Sequence, residues 1–242
     1  MKLQWYDIAW PWAGAAGALV LLYLLFKTDG LRGDKAKSRW YDPVWLSWAA
    51  AAAYLAHNVE EYGIDLRGRL HEFPNTMATM LHTAASPGGL PPNGFFTAVN
   101  LSIVWFAAPI AALVSRRHPL VGWSMYGIMI VNALSHLVPV FTGEGYTPGL
   151  LTSLILFLPL CGWAAHAGFG PAKRSYPAML AVIAVSVIAH LILLGSAMLY
   201  TQAVIGGAAV VWIQIINGGL LLLNSWLAEK WRNGKLIKPM KT

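Results

Sequence analysis

The sequence predicts an all-α, polytopic membrane protein: a seven-transmembrane-helix bundle with its N-terminus outside and its C-terminus in the cytoplasm. Three observations predict it. Of the 242 residues, 57% are hydrophobic and only 11% are charged, whereas an ordinary soluble domain carries about 25% charged residues. Seven apolar stretches are each long enough, at about 20 residues, to span a bilayer as helices. The lysines and arginines fall between these stretches in an asymmetric pattern.

The spans are expected near 8–26, 43–62, 94–115, 119–141, 148–168, 177–200 and 203–227, and residues 1–242 form one transmembrane domain. Backbone groups in lipid must bond internally, and the alternation of a barrel strand is absent, so each span reads as a helix. The first stretch follows "MKLQWYDIAWPW", and its charges come after the apolar run. A cleavable signal has the reverse order, so this is a retained helix. The second, "DPVWLSWAAAAAYLA", ends in "HNVEE" at 57–61. A long connection, 63–93, follows and is read as an outer loop or lid. Its "FPNTMATMLH" suits a short helix with Pro74 in the first turn, and "ASPGGLPPNG" suits a loop. The remaining stretches are separated by short polar connections. Trp5, Trp10, Trp12, Trp40, Trp45, Trp123, Trp226 and Trp231 lie near span ends, as an interfacial aromatic belt requires.

Charge fixes the expected orientation. Lys27, Arg32, Lys35, Lys37, Arg39, Arg116, Arg117, Lys173, Arg174 and five cations of the tail make fourteen on one side of a seven-span chain; Lys2, Arg67 and Arg69 make three on the other. The richer side is cytoplasmic by the positive-inside rule. The net charge of +7 is thereby explained by topology, and no nucleic-acid partner is expected. The single cysteine, Cys161, excludes an internal disulfide and a multi-cysteine metal site.

Orientation gives each polar residue a depth. His57, Glu60, Glu61, Asn100, Asn132, His136 and His190 fall in the outer half of the membrane, and Gln214 and Asn217 near its middle. His71 and His82 lie in the outer connection. Positions three and four apart share a helix face, so His57 aligns with both glutamates and Asn132 with His136. Ionisable groups inside a membrane cost roughly 2.5–3.5 kcal/mol each on insertion scales and mark function by default. Two carboxylates in the last turn of a helix also oppose its dipole, so a cation nearby is expected.

"HNVEE", "GRLHEFPNT", "VNLSIVW", "VNALSH" and the "YTPG" of "GYTPGLLTSLILFLPL" occur in this order from about Trp45 to Leu160. In this the chain resembles the HXXEE-motif family of bacterial integral membrane proteins, a family without an assigned function. The resemblance implies that His57, Glu60, Glu61, Asn132 and His136 are signature positions, and that the chain lies in a bacterial inner membrane as a multi-pass protein.

Three functions fit these residues. The first is a metal-dependent enzyme acting on a membrane lipid or isoprenoid. His57, Glu61, His136 and His190 would hold zinc or iron, with Glu60, Glu61 and Asn132 catalytic. The second is a metal-free acid–base isomerase or cyclase using a protonated glutamate, with Trp105 and Trp212 facing a cationic intermediate. The third is a non-enzymatic transporter or carrier. Asn100, Trp105, Trp212, Gln214, Asn217, His71 and His82 are the residues expected around the site, as substrate contacts or as a second layer behind the ligands.

Overall fold

Alanine decides the centre of the bundle. The computed structural model describes residues 3–237. Within it, helix α2 runs from Pro43 to Asn58 and continues as a π-helical turn, Val59–Gly63. Twelve of the sixteen residues of Pro43–Asn58 are buried, including the run Ala49–Ala53. Small side chains let neighbouring helices approach closely, which is how helices associate where lipid offers no hydrophobic drive. Around α2 stand α1 (Trp5–Lys27), α4 (Asn93–Val114) and α5 (Pro119–Phe141). Next to α5 lie α6 (Leu150–Gly168) and α7 (Tyr176–Thr201), and α8 (Gly207–Ile237) packs on α4, α5 and α7. The short α3 (Phe73–Met80) lies in the connection between α2 and α4.

The chain is all-helical in its described residues, apart from two isolated bridges in connections. Among the described residues six helices are long and apolar enough to cross a membrane: α1 and α4–α8. The one long rod outside that set is α2. Its tryptophans, tyrosine and terminal "HNVEE" lower its hydropathy, and its burial among the others removes the need for an apolar outer face. α8 continues well past the expected end at 227, because its last turns pack against connections. Glu229 accepts from the Leu120 amide (2.8 Å) and so caps α5, while Arg232 donates to Ser175 Oγ (2.6 Å).

The basic connections gather at one end of the bundle. Trp163 Nε1 donates to the Trp40 carbonyl (2.7 Å), Arg39 caps the last carbonyls of α1, and Arg116 donates to the Gly33 carbonyl. Asp42 starts α2 there, accepting from the Val44 amide (2.9 Å) and from Gly33 and Asp34 (2.7 and 3.0 Å). α2 and α5 touch at Gly122, where an added Cβ would stand 2.8 Å from Ser47 Oγ.

Among the described residues three helices carry a widened, π-helical turn: α2 at Val59–Gly63, α4 at Leu101–Ala107 and α6 at Ser153–Phe157. In α4 and α6 the turn ends two residues before a proline, Pro109 and Pro159. The proline ring has no N–H and clashes with the carbonyl four residues back, and a wider turn relieves both faults. In α2 the Ile64 amide closes the turn on the Val59 carbonyl (2.8 Å). π turns concentrate at functional sites, and here the π turn of α2 meets the first turn of α6, just ahead of that helix's own.

Candidate metal centre

The π turn of α2 sends its two glutamates to different places. Glu60 faces the start of α6. Its Oε1 accepts from Tyr146 Oη (2.9 Å) and the Leu151 amide (3.1 Å). Its Oε2 accepts from the Thr152 amide (2.7 Å) and the Thr152 hydroxyl (2.5 Å). A carboxylate at the C-terminal end of one helix thus caps the N-terminus of another, where the dipole favours it. Four donors occupy its two oxygens. Glu60 was expected to be catalytic; the structure makes it a cap, and the conflict between Glu60 and its own helix end is resolved by α6 instead of by a cation.

Glu61 turns the other way, into the bundle, and is 3% exposed. Its Oε1 lies 3.4 Å from His57 Nε2 and 3.1 Å from His136 Nε2. One ligand atom from each of the three residues falls within 4.8 Å of the others. Two ligands bonded at about 2.1 Å to a tetrahedral ion stand about 3.4 Å apart, so the separations suit a shared ion.

The proton positions point the same way. The Thr152 hydroxyl donates to Glu60, so toward His57 Nδ1, 2.8 Å away, it acts as acceptor. That fixes the His57 proton on Nδ1 and leaves a lone pair on Nε2. His57 Nε2 is buried and has no hydrogen-bond partner, and it faces an acceptor oxygen. His136 Nδ1 approaches Thr147 Oγ1 (3.4 Å), which leaves its Nε2 toward Glu61 as well. The His57 lone pair and a carboxylate oxygen facing one point repel each other unless a cation or a proton lies between them, and His136 Nε2 meets the same oxygen either as a hydrogen-bond donor or as a further ligand.

Gly149 completes the floor. Its φ is +96°, and an added Cβ would lie 2.5 Å from His136 Cε1 and 2.8 Å from His57 Cε1. Only glycine combines that backbone with so close an approach. Thr147, Gly149 and Thr152 were not anticipated as site residues. Polar residues and a glycine just ahead of a long apolar helix were the available signal.

A cavity of about 120 Å³ opens beside Glu61 and His136. Its wall is mostly apolar, with Phe73, Met77, Phe95, Phe96 and Ile103 prominent; Asn100, Asn132 and His190 add polar groups, beside the hydroxyls of Tyr62, Ser135 and Thr147. Phe73 of α3 stacks at 5.8 Å from the His136 ring, so the segment "FPNTMATM" roofs the cavity. His190 was expected as a ligand. The structure places it on the cavity wall outside the His57–Glu61–His136 group, with Nδ1 held 2.8 Å from the Ser186 carbonyl of its own helix.

The other expected neighbours separate. Asn100 and Asn132 line the cavity. Gln214 and Asn217 do not: Gln214 Nε2 donates to Ser196 Oγ (2.6 Å) and Asn217 Nδ2 to the Ala189 carbonyl (3.0 Å), joining α8 to α7. Trp212 is 62% exposed on the bundle surface, and Trp105 packs by Gly14 of α1, so neither faces the cavity. His71 is buried against Tyr62, with ring centroids 5.7 Å apart, and His82 is exposed; neither joins the His/Glu group. Of the outer arginines, Arg69 pairs with Asp65 and Glu72 (2.8 and 2.7 Å), and Arg67 lies over the Tyr146 ring. Neither reaches Glu61 in place of an ion.

Fold and site together define a multi-pass helical membrane protein with a buried His–Glu–His group at the wall of an apolar cavity. Residues 48–164 match the model of the family described as "Protein of unknown function with HXXEE motif", so the resemblance read from the motifs holds over these residues. The match contains His57, Glu60, Glu61, Asn132, His136, Gly149 and Thr152, and it ends before α7 and His190. No curated protein and no solved structure matches the chain.

Proposed function

We propose that His57, Glu61 and His136 hold a divalent metal ion, and that the protein is a metal-dependent membrane enzyme acting on a lipid-like substrate. The observation that carries this reading is the convergence of two imidazole Nε2 atoms on one Glu61 oxygen, at 3.4 and 3.1 Å. Three protein ligands leave positions for water or substrate, as catalytic sites do. Two histidines and one carboxylate suit zinc, for hydrolysis, or iron, for oxygen chemistry. The ion would polarise a substrate oxygen or activate a bound water. The chain's own residues would do the rest: Glu60 and Thr152 fix the His57 tautomer, α3 roofs the cavity, and the apolar wall excludes water.

The same reading takes α2 as a seventh span, with the N-terminus and the site on the outer side of a bacterial inner membrane and the basic end in the cytoplasm. Fourteen cations against three support it.

The test is the metal content of the untagged, purified protein. The expected result is about one zinc or iron per chain in the wild type, with little in His57→Ala and His136→Ala. A second reading, acid–base catalysis by Glu61, is favoured by the hydrogen bond between Glu61 and His136 next to an apolar cavity. It takes over if turnover is found in protein that holds no metal.

A further inference from the structure

The size of the cavity decides how much of a substrate it takes. At about 120 Å³ it is small. An apolar cavity of about 150 Å³ holds one benzene ring, so about five or six heavy atoms fill this one. Its inner wall does not yield easily. Phe95, Phe96, Ile103, Ile128 and Ala189 are buried there, and a close-packed interior loses contacts when it opens for a larger guest.

The outer wall is different. Of the residues that line the cavity, three are exposed: Met80 of α3, Ser135 of α5 and Leu194 of α7. They come from three separate elements and border one small space, so they surround a single opening between α5 and α7, beneath α3. Apolar side chains continue from it. Val138, one turn from Ser135, is 55% exposed, and Leu191, one turn from Leu194, is 64% exposed. In a membrane such a surface faces acyl chains. The site is therefore shallow: Glu61 and His136 stand at its back, lipid lies at its front, and one compact group fits between.

We propose that the cavity takes only the end of its substrate: a terminal oxygen-bearing group and about two or three carbons of one unbranched chain, while the rest of the chain stays in the membrane against Val138 and Leu191. This rests on the reading of His57, Glu61 and His136 as a metal centre, and it narrows the substrate class. The substrate is a single-chain amphiphile that reacts at its terminal functional group. A lipid branched beside that group does not fit, and neither does a polyisoprenoid that must fold inside the protein to cyclise.

The test uses hydroxamic acids, which hold zinc or iron through two oxygens. Octanohydroxamic acid carries a straight chain. Cyclohexanecarbohydroxamic acid has nearly as many atoms, but its ring adjoins the metal-binding group and has to enter the cavity whole. Each is titrated by native mass spectrometry against purified full-length protein of measured metal content, with partition of the probe into detergent measured and subtracted. The straight chain is expected to bind about tenfold tighter or more than the ring. Leu194→Trp should plug the opening and weaken octanohydroxamic acid about tenfold or more. Acetohydroxamic acid, which fits inside, should bind that variant as it binds the wild type, which shows that ion and fold are intact. Equal affinities for chain and ring in metal-loaded wild type overturn the proposal and leave the metal centre standing. So does a Leu194→Trp protein that binds the octanoyl probe as tightly as the wild type does. Wild type that holds no metal and binds none of the three probes loses the metal centre, and this inference with it.

Discussion

Glu60 and Thr152 join two helices end to end. The carboxylate closing α2 accepts from both the amide and the hydroxyl of Thr152, at 2.7 and 2.5 Å, and the same hydroxyl accepts from His57. A helix cap and the orientation of a candidate metal ligand thus share one oxygen atom. Tyr146 extends the linkage: its hydroxyl donates to Glu60 and accepts from the Leu66 amide at 2.9 Å. Burial and the neighbouring Glu60 carboxylate raise the pKa of Tyr146, outweighing the Leu66 hydrogen bond, so it stays a donor at any working pH.

Glu60→Gln keeps the shape and removes the charge. Hydrogen bonds to a charged group contribute about 1.5–3 kcal/mol, and a cap facing a helix N-terminus adds to this. The expected outcome is a thermal midpoint several degrees lower in detergent, with metal content reduced but not abolished. An unchanged midpoint would contradict the capping role.

Gly149→Ala should be severe locally and mild globally. The added Cβ would stand 2.5 Å from His136 Cε1, and the residue would keep a positive φ. Strain of this kind costs about 1–3 kcal/mol, and here it falls on the two imidazoles. Metal retention should fall at least tenfold while circular dichroism stays helical. Metal content equal to wild type would show that the rings are not held where the structure has them.

His71 sets a pH dependence for the connection between α2 and α4. Burial lowers its pKa, against the opposing pull of a Tyr62 backbone group and the Asp7 carboxylate. A histidine with a depressed folded pKa binds its proton more weakly folded than unfolded. Its packing is therefore stable above the unfolded value of about 6.5 and loses stability as pH falls below it. Hydrogen exchange of residues 63–80 should quicken between pH 7 and pH 5 beyond its intrinsic pH dependence, and His71→Asn, which tolerates the left-handed backbone found there, should remove the excess. Equal protection at both pH values in the wild type would rule this out.

Gln214→Leu separates glue from site. The hydrogen bond to Ser196 links α8 to α7 inside the bundle, and such bonds in membranes contribute about 0.6 kcal/mol on average. The variant should lose a degree or two of thermal stability and keep its metal. Loss of metal would place Gln214 in the site after all.

Much of this was legible in the sequence, and the reasons differ by element. Apolar runs of membrane length marked α1 and α4–α8 because lipid demands them. The motif spacing correctly aligned His57 with Glu61 and pointed to α5 for His136, since helical geometry is local. What the sequence could not tell was which glutamate faces which way. A π turn shifts the helical phase within "HNVEE" itself, and regular spacing arguments assume no such turn. His190 looked like a third nitrogen at the right depth. Depth does not give azimuth, however, and its ring is held by Ser186 along α7. Trp212 likewise lies in the second turn of α8 and faces outward. Gly149 and Thr152 act through contacts between α6 and α2, segments far apart in sequence, which no local pattern encodes.

The central claim is that one ion sits among His57, Glu61 and His136, and X-ray absorption at the metal edge of the untagged protein tests it most directly. The account predicts a zinc or iron edge with a first shell of nitrogen and oxygen only, at about 2.0–2.2 Å. The multiple scattering should be that of two imidazoles, and it should be lost in His136→Ala. A protein without an edge, or with a first shell unchanged by that substitution, would contradict it.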